Sequence, residues 1–207
     1  MVELFIKGGG FMWPILFIFI IGFVFVGERL YHLIKGLSAN EAFANDVVDT
    51  FESDGVEEAQ NQCEAAVGPV ANLFYNALEK ADDGVEAAEK TLDQTGTIEM
   101  ASLEKNMTWI SLCIATAPML GFLGTVWGMI EAFREIEAAN DISPAVVAGG
   151  ISVALLTTAF GLVVAVILQV LQNAVMYIID NQIVTMQKST TMLLNSIDSK
   201  KVKRKKK

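Results

Sequence analysis

Three stretches of this chain carry no charged side chain over a length that can cross a membrane: residues 8–27, 106–130 and 142–179. About 20 predominantly apolar residues in a helix span the ~30 Å hydrocarbon core. A helix also satisfies its own backbone hydrogen bonds, which lipid cannot do. The sequence therefore predicts an all-α polytopic membrane protein with three transmembrane helices.

The second and third helices are predicted to extend beyond the membrane. The third uncharged run is 38 residues long, which is about 57 Å of helix at ~1.5 Å per residue. Its later part contains Gln169, Gln172 and Asn173, and such side chains are costly to bury in lipid. Residues 85–130 contain no strong break, although Gly96 weakens the pattern. Both helices are thus expected to continue into the cytoplasm.

Lysine and arginine are concentrated on one predicted side of the membrane. Arg29 and Lys35 follow the first run, Lys105 precedes the second, and the chain closes on "KKVKRKKK". The positive-inside rule therefore places the N-terminus outside and the C-terminus in the cytoplasm, with Arg29 as an interfacial anchor. No A-x-A-like cleavage site follows the first run, which argues against a signal peptide. The predicted segments are an external N-terminus 1–10, transmembrane helix 11–27, cytoplasmic helical segment 28–105, transmembrane helix 106–131, external turn 132–143, transmembrane helix 144–168, and cytoplasmic helical extension with a polybasic tail 169–207.

The cytoplasmic segment is strongly acidic, because residues 36–105 hold sixteen acidic and three basic side chains. Its apolar residues recur at helical spacing, which predicts several short helices and no sheet. Breaks are expected at Gly55, at Gly68 and at Gly84. The acidic faces are either solvated surface or a site for a basic partner. The polybasic tail either fixes topology, binds anionic membrane lipids, or meets the acidic segment of a neighbour, and a nucleic-acid partner is not expected.

Small residues form one face on each of the last two membrane helices. Lipid gives little drive for helix association, whereas small residues permit close backbone contact. Two interpretations therefore stand: tight packing with satisfied hydroxyls, or the wall of a conduction path. Pro118 is expected to kink the second of the three helices, since proline removes a backbone donor. The small faces consist of Ala117, Gly121, Thr125 and Gly128 in one helix, and Gly150, Ala154, Thr158 and Gly161 in the other.

Nothing in the sequence indicates catalysis or a metal centre. There is one histidine, and the two cysteines, Cys63 and Cys113, lie in segments that the predicted topology separates. No phosphate-binding loop or metal-ligand spacing is present. The sequence therefore predicts a protein that is not an enzyme and has neither a cofactor nor a bound metal.

Three motifs resemble the membrane-helix signatures of the MotA/TolQ/ExbB proton channel family. They are "GGGFMWPILFIFIIGFVFVGERL", "APMLGFLGTVWGMIEAF" and "GGISVALLTTAFGLVVAV", in the family's order. The second is the most specific, through its P-x-x-G-x-x-G-T-V-x-G spacing from Pro118 to Gly128. Three predicted helices, where MotA-type proteins have four, place the chain nearer the ExbB/TolQ branch.

The resemblance implies a homo-oligomeric ring, with five subunits expected, in a bacterial inner membrane. Such a ring surrounds an ExbD/TolR-like single-helix protein whose aspartate carries the proton, and the complex drives an envelope process such as TonB-dependent outer-membrane import through a TonB/TolA-like protein. Thr125 and Thr158 match the threonines of the ion pathway. A non-conducting scaffold that holds a partner helix and a sodium-driven ring remain as alternatives.

One position departs from the family pattern. Many ExbB and TolQ proteins carry an acidic residue in a G-I-A-E-A-L-like stretch of the third helix, and Val153 stands there in this chain. No Asp, Glu, His, Lys or Arg occurs in residues 142–179. The titrating group is therefore expected to come from the partner, with the two threonine hydroxyls as its neighbours.

Overall fold

A computed structural model describes residues 2–36, 41–139 and 144–205, which are α-helical with short connections and contain no strand. This confirms the predicted all-α class. Three of the helices, α2, α7 and α8, are long and apolar enough to cross a membrane, as the sequence predicted. The helices are α1 Val2–Lys7, α2 Met12–Gly36, α3 Glu41–Ser53, α4 Val56–Ala65, α5 Pro69–Glu79, α6 Val85–Leu103, α7 Met107–Ala139 and α8 Pro144–Lys205.

Helix α8 is 62 residues long, so the third predicted helix does continue far beyond the length that a membrane needs. Its buried side chains recur every seven residues, the spacing that keeps one side of a long helix against neighbouring helices. The composition of this row changes from small and apolar to polar along the helix. The row consists of Ala154, Gly161, Leu168, Val175, Gln182, Ser189 and Ser196.

The helix expected to run without interruption through residues 85–130 is divided at residues 104–106, so that expectation was wrong. Helix α6 ends at Leu103 and α7 begins at Met107. Between them Asn106 adopts a left-handed backbone with φ of 64°, a conformation that asparagine tolerates better than most residues. Its side-chain amide donates to the Glu28 carboxylate at 3.0 Å. A contact distant in sequence thus stabilises the break.

The segment predicted as an external turn, residues 132–143, is helical as far as Ala139. Alanine and glutamate favour helix here, and Arg134 pairs with Glu131 one turn earlier at 3.5 Å. The rest of the predicted turn, residues 140–143, lies outside the described residues.

The chain divides into two compact units. The first comprises Met1–Glu28 and Asn106–Val175. In it α2, α7 and α8 pack around a common apolar cluster, which consists of Ile15, Cys113, Ala117, Val164 and Leu168.

The second unit comprises Arg29–Lys105 and Met176–Lys207. Helix α5 lies at its centre, packed against α4 and α6, with Phe74 fully buried. The predicted breaks are confirmed, because α4 and α5 begin after Gly55 and Gly68, whose φ values of 108° and 152° suit glycine. Arg29 is only 4% exposed and donates to the Ser102 carbonyl oxygen near the end of α6 at 3.1 Å.

Candidate functional site

The small residues of α7 and α8 form a close antiparallel contact within the first unit, which we call the α7–α8 seam. A Cβ atom added to Gly161 would lie 2.6 Å from the Ala117 carbonyl oxygen and 3.1 Å from the Gly121 Cα atom. These neighbours are backbone atoms, which cannot rotate away. The helices therefore approach to a distance that only glycine allows at this position.

The same contact continues along the seam. Gly128 lies against Ala154, whose Cα would be 3.4 Å from a Cβ at residue 128. Gly150 contacts the Ala132 side chain and the Gly128 carbonyl oxygen. All six small residues predicted from spacing thus meet in one helix pair: Ala117, Gly121, Gly128, Gly150, Ala154 and Gly161. Pro118 lies inside α7, between Ala117 and Gly121 in sequence.

Thr157 is the most buried polar residue of the seam and was not among the predicted site residues. It is 1% exposed, and its hydroxyl donates to the Ala154 carbonyl oxygen at 2.8 Å. A Cβ on Gly124 would lie 2.6 Å from its Oγ1 atom. Thr157 therefore faces α7.

The two predicted pathway threonines both direct their hydroxyl protons at backbone carbonyls. Thr158 Oγ1 donates across the seam to the Gly121 carbonyl oxygen at 3.1 Å. Thr125 Oγ1 donates within α7 to the Phe122 carbonyl oxygen at 2.6 Å. A hydroxyl that has donated its proton retains acceptor lone pairs. In this arrangement both side chains offer acceptors to a ligand.

Thr125 and Thr158 lie on the edge of the seam that faces away from α2. Helix α2 covers the other edge, where a Cβ on Gly22 would lie 2.7 Å from Leu168 and 3.3 Å from Cys113. At ~100° per residue, Thr125 is rotated by about 120° from Cys113 around α7, and Thr158 by about 80° from Leu168 around α8. Both rotations lead away from α2. The two hydroxyls are therefore on the edge that α2 does not cover, which we call the threonine edge.

A cavity of about 600 Å³ lies at the end of α7 and the beginning of α8. Glu131, Glu135 and Val153 contribute to its lining, together with Gly9 and Gly10 before α2. Val153 is rotated by about 140° from Thr158 around α8. A side chain at position 153 therefore faces this cavity and not the threonine edge. Within the described residues no group of three or more His, Cys, Asp or Glu side chains could hold a metal ion.

Comparison with known proteins places the chain in a family. Residues 65–188, more than half of the chain, match the model of the MotA/TolQ/ExbB proton channel family. A protein of Methanothermobacter thermautotrophicus described as a biopolymer transport protein ExbB homologue is 31% identical over 183 residues, which cover 88% of this chain and 65% of that protein.

Two further relatives are bacterial. The biopolymer transport protein ExbB of Neisseria gonorrhoeae is 31% identical over 152 residues, covering 67% of this chain and 66% of that protein. The ExbB of Xanthomonas campestris is 42% identical over 81 residues, or 39% of this chain and 32% of the relative. The chain spans just under two thirds of the length of the archaeal and Neisseria relatives. With its three membrane-length helices, the chain is a multi-pass membrane protein that belongs to the MotA/TolQ/ExbB proton channel family.

Proposed function

We propose that this chain is the ring-forming subunit of an inner-membrane, proton-driven motor complex of the ExbB/TolQ type. The complex would couple ion-motive force to an envelope process such as TonB-dependent outer-membrane import. The observation that carries the proposal is the position of Thr125 and Thr158 on the open edge of the α7–α8 seam, with acceptor lone pairs free of the seam's own hydrogen bonds. A transported cation needs such polar groups inside the membrane.

The titrating group of this proposal belongs to an ExbD/TolR-like partner helix that carries an aspartate. A protonated carboxyl group is a hydrogen-bond donor, whereas an ionised carboxylate only accepts. The two threonine hydroxyls, whose protons are given to backbone carbonyls, would therefore stabilise the protonated form against the threonine edge. The partner's carboxyl group would therefore pass this edge in its protonated, neutral form and release its proton elsewhere.

The assembly in this proposal is a homopentamer whose subunits and lipids cover the remaining apolar surface. In the single chain, Met119 and Phe122 of α7 are each 68% exposed. The N-terminus would be periplasmic and the C-terminus cytoplasmic, with force passed to a TonB/TolA-like protein. Labelling of single cysteines placed near residues 10 and 200 with a membrane-impermeant reagent tests this orientation, and labelling of residue 200 in intact cells would contradict it.

The function is tested by proton uptake into vesicles that contain the chain and its partner. Replacing Thr125→Val and Thr158→Val together should lower proton uptake by at least about tenfold, because valine keeps the shape and removes the acceptor. Thr116→Val is the matched control. Thr116 also donates to a carbonyl of its own helix, that of Leu112 at 2.7 Å, but lies about 180° from Thr125 around α7. Uptake that is unchanged in the double variant would show that the proposed path is wrong.

Two other functions give different results in the same vesicles. A non-conducting scaffold is favoured by the closeness of the seam, which accounts for the glycines without any ion, and it predicts no uptake even with the partner present. A sodium-driven ring is compatible with hydroxyl acceptors, since oxygen ligands suit hard cations. Replacing sodium by choline would stop that ring and leave a proton-driven one active.

A further inference from the structure

A second polar group lies along the same α7–α8 seam, two heptads away from the threonines. Ser111 precedes Thr125 by fourteen residues in α7, and Gln172 follows Thr158 by fourteen residues in α8. In packed helices, residues a whole number of heptads apart share one side. Fourteen residues correspond to about 21 Å of helix. Ser111 and Gln172 therefore share the edge of the threonines, about 21 Å along it.

Ser111 and Gln172 are joined directly across the seam. The Gln172 side-chain nitrogen donates to the Ser111 hydroxyl oxygen at 2.6 Å, and this hydroxyl donates to the Met107 carbonyl oxygen at 3.2 Å. Gln172 is only 9% exposed. A buried amide without partners would be costly, so the hydrogen bonds account for its presence among apolar neighbours.

The network continues from the buried amide to the surface. The Gln169 side-chain nitrogen is 3.5 Å from Gln172 Oε1 and 3.2 Å from Asn173 Oδ1. Gln169, Asn173 and Ser111 are all exposed in the single chain. We call these four side chains, Ser111, Gln169, Gln172 and Asn173, the amide cluster. It contains donors and acceptors but no group that changes its charge near neutral pH.

We propose that the amide cluster is a second station of the ion path, which orders the water that receives the ion after it leaves the threonine edge. This inference rests on the proposed function. Amide and hydroxyl groups hold bridging water through hydrogen bonds. A proton would pass through such water as hydronium, so no side chain of the cluster needs to gain or lose a proton.

Pro118 occupies the middle position of the same row of α7, seven residues from both Ser111 and Thr125. Because proline has no backbone N–H, it cannot bond to the carbonyl of residue 114, four positions earlier. An additional backbone acceptor therefore lies between the two stations. This position gives Pro118 a part in the proposed path.

The test is proton uptake into vesicles that contain the whole chain with its partner, for Gln172→Leu and Gln172→Asn. Leucine is close to glutamine in size but cannot hydrogen-bond, so Gln172→Leu should lower uptake by at least about tenfold. Gln172→Asn keeps the amide and should retain a third or more. Ser111→Ala, a smaller change, should lower uptake about threefold. Assembly with the partner, measured by size-exclusion chromatography, should be unchanged in all three.

Gln182→Leu is the matched control. Gln182 is also a buried amide of α8, 6% exposed, that donates to another helix, at the Leu33 carbonyl oxygen at 3.0 Å. It lies in the second unit, on the heptad row of Ala154 and Leu168, whereas Gln172 lies on the row of Thr158. If its substitution lowers uptake as much as Gln172→Leu does, the effect is one of folding and the inference is overturned.

Two outcomes separate this inference from the proposed function. If the threonine double variant loses uptake while Gln172→Leu stays within twofold of wild type, the path does not use the amide cluster and only the inference fails. If the wild-type complex shows no uptake at all, the proposed function and the inference both fail. If Gln172→Leu lowers proton uptake and Gln172→Asn retains it, the result supports a role of the amide cluster in the ion path.

Discussion

At the residue scale, the seam depends on the absence of single Cβ atoms. Gly161→Ala would place a methyl group 2.6 Å from the Ala117 carbonyl oxygen, and overpacking of this kind costs about 1–3 kcal/mol. We therefore expect a lower midpoint of thermal unfolding in detergent. Gly27→Ala is the matched control in α2, because nothing lies within 4 Å of its added Cβ. This control should be neutral or slightly stabilising, since alanine favours helix, and equal midpoints for the two variants would contradict a close seam.

The Cys63 thiol offers a prediction about pH. It is 3% exposed in the second unit, and burial raises its pKa from the usual 9.0 to about 12. Above pH 9 the unfolded chain loses this proton while the folded chain keeps it, so stability falls as pH rises, by up to ~1.4 kcal/mol per pH unit until about pH 12. Chemical denaturation at pH 8 and pH 10.5 should show a smaller loss in Cys63→Ala than in wild type. Equal losses would mean that the folded thiol ionises normally.

At the scale of elements, hydropathy was sufficient to predict the helices but not where they are interrupted. The three long helices were predicted from uncharged runs, because the length of such a run can be compared directly with the thickness of the membrane core. The break at residues 104–106 depends on Asn106 and on Glu28, which is 78 residues away in sequence. Likewise, the spacing of glycines identified the seam, whereas the hydrogen bond from Thr158 to the Gly121 carbonyl depends on the register between two helices. Hydrogen-bond partners that are distant in sequence cannot be predicted from local sequence patterns.

The break between α6 and α7 can be tested through Asn106. Asn106→Gly keeps the left-handed backbone accessible and loses only the hydrogen bond to Glu28. Asn106→Ala loses the same hydrogen bond, and the left-handed conformation also costs alanine about 1–2 kcal/mol. Unfolding in denaturant should therefore rank wild type above Asn106→Gly and Asn106→Gly above Asn106→Ala. Repeating both substitutions in a Glu28→Ala background, which removes the acceptor, isolates the side-chain hydrogen bond. An alanine variant as stable as the glycine variant would argue against the left-handed turn.

At the scale of the whole molecule, charge is distributed very unevenly. The net charge is −9, but residues 36–105 alone hold sixteen acidic and three basic side chains. The ion pair between Lys188 and Glu41, at 3.9 Å and with both side chains more than half exposed, contributes little in water. Repulsion among the exposed carboxylates should therefore outweigh the attraction in such pairs. The acidic segment gains its stability from apolar packing around α5 and loses some of it to its own charge.

Salt should for this reason stabilise the protein. Raising NaCl from about 0.05 to 0.5 M shortens the Debye length from roughly 14 to 4 Å, which screens repulsion between neighbouring carboxylates. The midpoint of thermal unfolding in a non-ionic detergent should rise by a few degrees at pH 7.5. A midpoint that falls with salt at pH 7.5 would mean that ion pairs, and not repulsion, dominate the electrostatics of the folded chain.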